Sequence, residues 1–371
     1  MQASVKLGKI WDIPIGLHTS WFLIFGLVSW SLATGFFPAE FPDLSLPAYW
    51  VLGAVTAALF FGSVLVHELG HAYLALREGI PVNSITLFIF GGVAQISREP
   101  QSPGAEFRIA IAGPLTSLAL AAVFGALWLV DQPVSMLAAP SLWLARINFA
   151  LAAFNMIPGF PLDGGRVLRA IIWAVTDSYL RATRVASFTG QLAAFGFIGV
   201  GVFTIFGGNF FNGIWLAFIG WFLQNAAAAS YAQANMQQSL SGVTALQAMT
   251  RDCIRVPSNL SLQELVEHQV LGGGQRCFFV ADNGTLEGML TLTDVTQTPR
   301  SSWQTVTTGQ TMRRREELVS VLPDTELLSA LQAMDDANVN QVPVMEGEVL
   351  LGVLSREQVL RYVRLRAELG L

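Results

Sequence analysis

His67-Glu68-Leu69-Gly70-His71 reads HExxH. On a helix, side chains four residues apart project from one face about one turn apart, so both imidazoles can reach a single zinc ion, with Glu68 placed to hold the metal-bound water. Four specified letters also arise by chance in a long chain. Here Phe60, Phe61 and Leu65 precede the motif and Ala72, Tyr73 and Leu74 follow it, which sets it deep in an apolar stretch. Ionisable groups inside a membrane helix each cost roughly a few kcal/mol and are retained mainly for function.

A catalytic zinc takes three protein ligands and keeps one position open, so the histidine pair needs a partner. Asn155-Met156-Ile157-Pro158-Gly159-Phe160-Pro161-Leu162-Asp163-Gly164-Gly165-Arg166 supplies one. Pro158 and Pro161 break a helix there, and the glycine pair allows a tight turn that swings Asp163 back toward the metal. The competing role for Asp163 is N-cap of a helix starting near Gly164. Charge balance favours the ligand, because zinc offsets Asp163 and Glu68 together and leaves a nearly neutral site in a low-dielectric surrounding.

The elements that must position these groups lie in a bilayer. Of 371 residues, 53% are hydrophobic and 13% charged, with mean hydropathy +0.51, whereas soluble domains carry roughly a quarter charged residues. Charged residues become frequent only after about Ala232, so two regions with different solvents are expected. A net charge of -5 and a pI near 5.4 offer no basic patch for DNA or RNA, and no nucleic-acid partner is expected. Cys253 and Cys277 suggest neither a disulfide framework nor a Cys-rich metal site, and both read as ordinary thiols. The N-terminus carries Lys6 and Lys9 but lacks the apolar run and cleavage site of a signal peptide, so the first segment is expected to remain as an anchor.

With about 20 apolar residues needed per span, six segments qualify: about Leu17 to Phe36, Tyr49 to Leu76, Ile109 to Val130, Leu142 to Ile157, Val185 to Phe206 and Phe211 to Tyr231. An even number puts both termini on one side. One set of loops holds Lys6, Lys9, Arg77, Arg98, Arg108, Arg166, Arg169, Arg181 and Arg184, and the other, around Glu40, Asp43, Asp131 and Gly208, holds no Lys or Arg. The positive-inside rule then makes both termini cytosolic, in a multi-pass protein of the cell (inner) membrane. Arg146, near the outer end of the fourth segment, is the exception, with helix packing and a substrate path as its two readings.

HELGH in an early membrane helix, followed by NxxPxxPLDGGR, resembles the site-2 protease family of intramembrane zinc metalloproteases over roughly residues 1 to 231. The resemblance implies zinc held by His67, His71 and Asp163, Glu68 as general base, and Asn155 as a polar group facing the reacting carbonyl. An interhelical hydrogen bond is the other reading of Asn155. It implies cleavage of the transmembrane segments of single-pass membrane proteins, within the lipid bilayer. Zinc lowers the pKa of its water to about 7 and polarises the carbonyl, and Glu68 shuttles the proton to the leaving amine. Ser84 to Ile96 is β-prone with a Gly91-Gly92 turn and resembles the family's membrane-associated hairpin. Its edge is a place for an unwound substrate to add as a strand, or the hairpin only packs against the helices. Nothing reads as a PDZ insertion, so the chain resembles the compact branch of the family.

After a linker at 232–242, an internal repeat occupies 243–371, with copies at about 243–298 and 306–364. Gly288-Met289-Leu290-Thr291-Leu292-Thr293-Asp294 realigns with Gly352-Val353-Leu354-Ser355-Arg356-Glu357-Gln358, and Val280 with Val344. Helices are expected near Leu260 to Val270 and Thr325 to Ala337. The pattern resembles paired CBS domains. That resemblance implies an adenine nucleotide (ATP, ADP or AMP) held by Thr291 and Asp294 and, in the second copy, Ser355, where Gln358 replaces the expected Asp. A pair that only forms a homodimer is the alternative. The fold class expected is an α-helical polytopic membrane protein of about six transmembrane helices followed by a cytosolic α/β CBS pair. Two rival functions are a CBS-regulated transporter, which leaves HELGH unexplained, and an inert zinc-containing scaffold, which has no use for Glu68.

Overall fold

Two strands that the sequence reading did not anticipate precede the first membrane helix. β1 (Val5–Ile10) and β2 (Ile13–Leu17) pair antiparallel around Trp11 and Asp12, whose φ angles are 52° and 62°. Two left-handed residues make the short turn whose twist matches its strands. β2 then pairs parallel with β3 (Val82–Phe88), which pairs antiparallel with β4 (Gly91–Ile96), so the sheet order is β1-β2-β3-β4. Ile13 and Ile85 pack with Ala72, Ala75 and Ile109, fixing the sheet's inner face against the helices. This computed structural model describes residues 4–42, 44–131, 135–240, 242–251, 254–282, 285–347 and 349–369. Asp43 and Cys253 lie outside the described residues.

The helices of the first unit, Met1–Ala234, follow the apolar stretches. α1 (Thr19–Ser31) runs through a π turn at Leu32–Phe36 into α2 (Phe37–Glu40), and His18 caps it by accepting from the Ser20 N–H at 3.2 Å. α3 (Leu46–Arg77) has Pro47 in its first turn and stops where Gly79 takes φ 73°, a left-handed exit that favours glycine. α4 (Pro103–Asp131) and α5 (Ser135–Asn155) follow, then α6 (Asp163–Thr176), α7 (Tyr179–Phe206) and α8 (Phe210–Leu240).

Among the described residues, five stretches are long and apolar enough to cross a membrane: Thr19–Glu40, Leu46–Arg77, Pro103–Val130, Leu137–Asn155 and Tyr179–Phe206. The sixth expected segment also forms a helix, α8, but Asn212, Gln224 and Asn225 dilute its hydropathy. α6 is a short amphipathic helix between spans, which a search for long apolar runs passes over.

The second unit, Asn235–Leu371, contains α9 (Ala245–Ala248), β5 (Ile254–Val256), α10 (Leu262–Glu264) continuing as a π turn, β6 (Cys277–Asp282), β7 (Thr285–Thr291), α11 (Leu292–Gln297), α12 (Thr308–Thr311) and β8 (Arg313–Arg314). The second copy adds α13 (Leu327–Asp336), β9 (Gln341–Glu346), β10 (Val349–Ser355) and α14 (Arg356–Leu369). The copies trade edges: Arg313, which opens the second copy, pairs with Met289 of the first copy's sheet, and Thr250, which opens the first, pairs with Val353 of the second. Cys277, Phe279, Met289 and Val353 form a small core where the sheets meet. Cys277 is disulfide-bonded, which corrects its reading as an ordinary thiol, since a count of two cysteines says nothing of their separation.

Candidate metal centre

His67 and His71 leave α3 one turn apart and are 4% and 5% exposed. Their Nε2 atoms face each other at 3.3 Å. Asp163, the first residue of α6, brings Oδ2 to 3.2 Å from each of them. Leu162 holds the N-cap position with no side-chain cap hydrogen bond, so the helix-cap role weighed for Asp163 is not the one it plays. The glycine pair is needed for close approach: a Cβ on Gly164 or Gly165 would strike the turn backbone at Ile157 and Gly159.

The Nδ1 atoms decide what the Nε2 atoms offer. His71 Nδ1 lies 2.7 Å from the Ile109 carbonyl oxygen of α4. A carbonyl only accepts, so Nδ1 carries the proton and the neutral ring presents a lone pair at Nε2. His67 Nδ1 meets Ser117 Oγ at 2.8 Å. Lone pairs and a carboxylate converging in this way repel unless a cation sits among them. Tetrahedral zinc, with bonds of about 2.0–2.1 Å, separates its ligand atoms by about 3.3 Å, so the donor set and its spacing fit the ion.

Glu68 faces another way on α3. A Cβ on Gly92 would fall on its side chain, 2.9 Å from Cδ and 3.0 Å from Oε1, and the Ala94 main chain hydrogen-bonds its carboxylate. β4, the last strand of the sheet, thus lies directly on the carboxylate. Gly91 opens that strand opposite Phe88, and Gly92 sits opposite Leu87. Asn155 is the last residue of α5, half-buried, and its side chain makes no hydrogen bond among the described residues. Asn148, two turns earlier, is fully buried and donates to Ser63 Oγ at 3.3 Å. Ser117, Ile109 and Gly113 of α4 were not anticipated from sequence; the one signal was the polar Ser117 inside an apolar segment.

Asp163 is held in place from behind. Arg169, further along α6, donates from Nε to Glu106 Oε1 at 2.6 Å and from Nη1 to the Tyr179 hydroxyl at 2.6 Å, and its guanidinium lies 4.9 Å from the Phe160 ring centroid. Glu106 is fully buried and belongs to α4, so this ion pair ties Asp163's helix to the helix that orients the histidines. Removing one partner of a buried pair strands a charge and costs about 3–5 kcal/mol. Arg169→Met should therefore lower the Tm of the detergent-solubilised chain, and adding Glu106→Gln should recover much of the loss. An unchanged Tm in Arg169→Met would show that the pair does not tie the helices together.

In the second unit, a cavity of about 400 Å³ opens between the two copies, with Thr291, Arg276, Arg313, Asn338, Ser355 and Arg356 in its lining. Thr291 and Ser355 are thus brought together. Asp294 is not in the lining: its carboxylate accepts from Thr291 N at 2.9 Å and Oγ1 at 2.6 Å and from Arg313 Nε at 3.2 Å. Gln358 likewise accepts from Ser355 N at 2.9 Å.

A histidine pair on a membrane-spanning helix, met by the Asp163 carboxylate from the short helix α6 and flanked by Glu68, defines an integral-membrane zinc metalloprotease. Peptidase family M50 matches residues 55–139 and 131–197, and the CBS domain matches 243–299 and 310–365. A Synechocystis protein named as a zinc metalloprotease is 36% identical, covering 99% of this chain and 97% of its own length. The zinc metalloprotease MJ0392 of Methanocaldococcus jannaschii is 31% identical, with 97% and 96% covered. The solved site-2 protease from Methanocaldococcus jannaschii is similar over 61% of this chain and 94% of that one, at 31% identity and a TM-score of 0.42. The chain belongs to peptidase family M50, the site-2 proteases, and carries paired CBS domains.

Proposed function

We propose that the chain is an intramembrane endopeptidase that cuts the transmembrane segments of single-pass membrane proteins, with catalytic residues 1–231, a linker at 232–242 and a regulatory CBS pair at 243–371. The convergence of His67, His71 and Asp163 at metal-ligand spacing, with Glu68 beside them, supports this reading. Zinc bound there supplies a Lewis acid that polarises a peptide carbonyl and acidifies water. Glu68 takes the proton from the attacking water and delivers it to the leaving amine. Asn155 donates its amide to the carbonyl oxygen as charge develops there. The Gly91-Gly92 edge of β4 receives the unwound substrate as an added strand beside Glu68. Co-expressed single-pass proteins should be cut by the intact chain and persist uncut beside the Glu68→Gln variant; equal cleavage by both would remove Glu68 from the mechanism.

Both termini face the cytosol in this reading, and the protein resides in the inner membrane. Reporter fusions after Gly208 should read as external and after Gln238 as cytosolic, and the reverse pattern would overturn the orientation.

The cleft between the CBS copies binds an adenine nucleotide through Thr291, Ser355 and the neighbouring arginines, while Asp294 orients Thr291 and Arg313 from behind. ATP, ADP or AMP should raise the Tm of the purified chain, and Thr291→Val should weaken the effect. No shift with any of the three would leave the pair its dimerisation role, in which cross-linked homodimers form through residues 243–371.

A further inference from the structure

Arg146 stands at the middle of a membrane span. The apolar stretch of α5 runs Leu137–Asn155, nine residues to either side of it. At about 1.5 Å per residue this sets its Cα about 13 Å from both ends, farther than one arginine side chain extends. The side chain is exposed on the outer surface of the helices and has no hydrogen-bond or ion-pair partner among the described residues. Two other arginines on the spans have partners: Arg108 donates to Glu78 Oε1 at 2.7 Å, and Arg184 to the Tyr231 hydroxyl at 3.2 Å. A guanidinium left in hydrocarbon is costly and is kept where something answers it.

The surroundings of Arg146 suit a helix. Leu118, Ala121 and Ala122 of α4 and Ala145 and Phe149 of α5 form with it an open groove of about 400 Å³. Leu118 and Phe149 are exposed apolar walls, and the three alanines form a shallow floor that lets another backbone approach closely. Depth selects the occupant. A lipid phosphate lies at the interface, whereas a carboxylate on a second transmembrane helix can be placed at mid-membrane opposite Arg146.

We propose that the α4–α5 groove docks a transmembrane helix of another protein bearing an Asp or Glu near its midpoint, recognised by Arg146. The groove is a docking surface and requires no cleavage.

The test uses the full chain carrying Glu68→Gln, so that no probe is cut and the result is independent of the protease reading. Fluorescent Leu/Ala transmembrane peptides with Glu at the centre, or Gln in its place, are co-reconstituted with it in phosphatidylcholine vesicles, and association is read by energy transfer. The Glu peptide should associate about tenfold more tightly than the Gln peptide, in line with measured intramembrane polar contacts. Arg146→Leu should erase the difference, Arg146→Lys should keep part of it, and Arg146→Glu should transfer the preference to a peptide with central Lys. Equal association of the Glu and Gln peptides, or a difference that survives in Arg146→Leu, overturns the proposal. Loss of the preference when phosphatidylglycerol is added would assign the groove to a lipid headgroup and overturn it as well.

Discussion

Glu68→Gln should leave zinc bound and abolish cleavage. Gln keeps the shape of the side chain and can still accept the Ala94 main-chain hydrogen bond that holds Glu68 under β4, but it cannot take a proton from water. Loss of a general base commonly costs about 10² to 10⁴ in rate. His67→Ala, His71→Ala and Asp163→Ala should behave differently, because each removes one of the three converging donors and so reduces zinc content together with activity. Elemental analysis beside a gel-based cleavage assay gives both quantities from one preparation. Normal cleavage by Glu68→Gln would falsify the assignment of the base, and full zinc retention in Asp163→Ala would move the third ligand elsewhere.

A single methyl group at Gly113 should be nearly as damaging. Gly113 lies on α4 directly over the centre, and a Cβ there would land on the Nε2 atoms of both His67 and His71. The added carbon would take the space through which those lone pairs reach a cation. Changes to groups that only orient ligands typically cost about 10- to 100-fold in metal affinity, and Gly113→Ala should exceed the upper end. Ala is the better helix former by about 1 kcal/mol, so α4 itself should not suffer. Zinc titration by competition with a chelator measures the effect, with Ser117→Ala as comparison: that variant removes only the His67 Nδ1 contact and should fall within the 10- to 100-fold range. Unchanged zinc affinity in Gly113→Ala would mean that the ion sits elsewhere.

Residues whose spacing is local were legible from sequence. HExxH declares its own geometry on a helix, and PLDGGR marks the break that returns Asp163 to the site. The groups contributed by α4 were not legible, because the Ile109 carbonyl meets His71 across 38 residues and Ser117 meets His67 across 50. No pattern within a window of one or two turns reports such a contact. The β1–β2 hairpin was missed for a related reason: its outer strand is exposed along its whole length, so it shows no buried alternation. Arg146 was placed near the outer end of a segment expected from Leu142. The helix in fact starts at Ser135, because Pro140 sits within its first turns without ending it, and Arg146 falls at mid-span.

The exchanged edges of the CBS pair, Thr250 on Val353 and Arg313 on Met289, bind the two halves into one cooperative body. Each half reaches its full sheet only when the other is present, so neither can melt first while its partner persists. Calorimetry of the intact pair should then register a single transition, and a chain cut back at the start of the second copy should lose the first as well. A ligand gripping either half would stiffen both as one module.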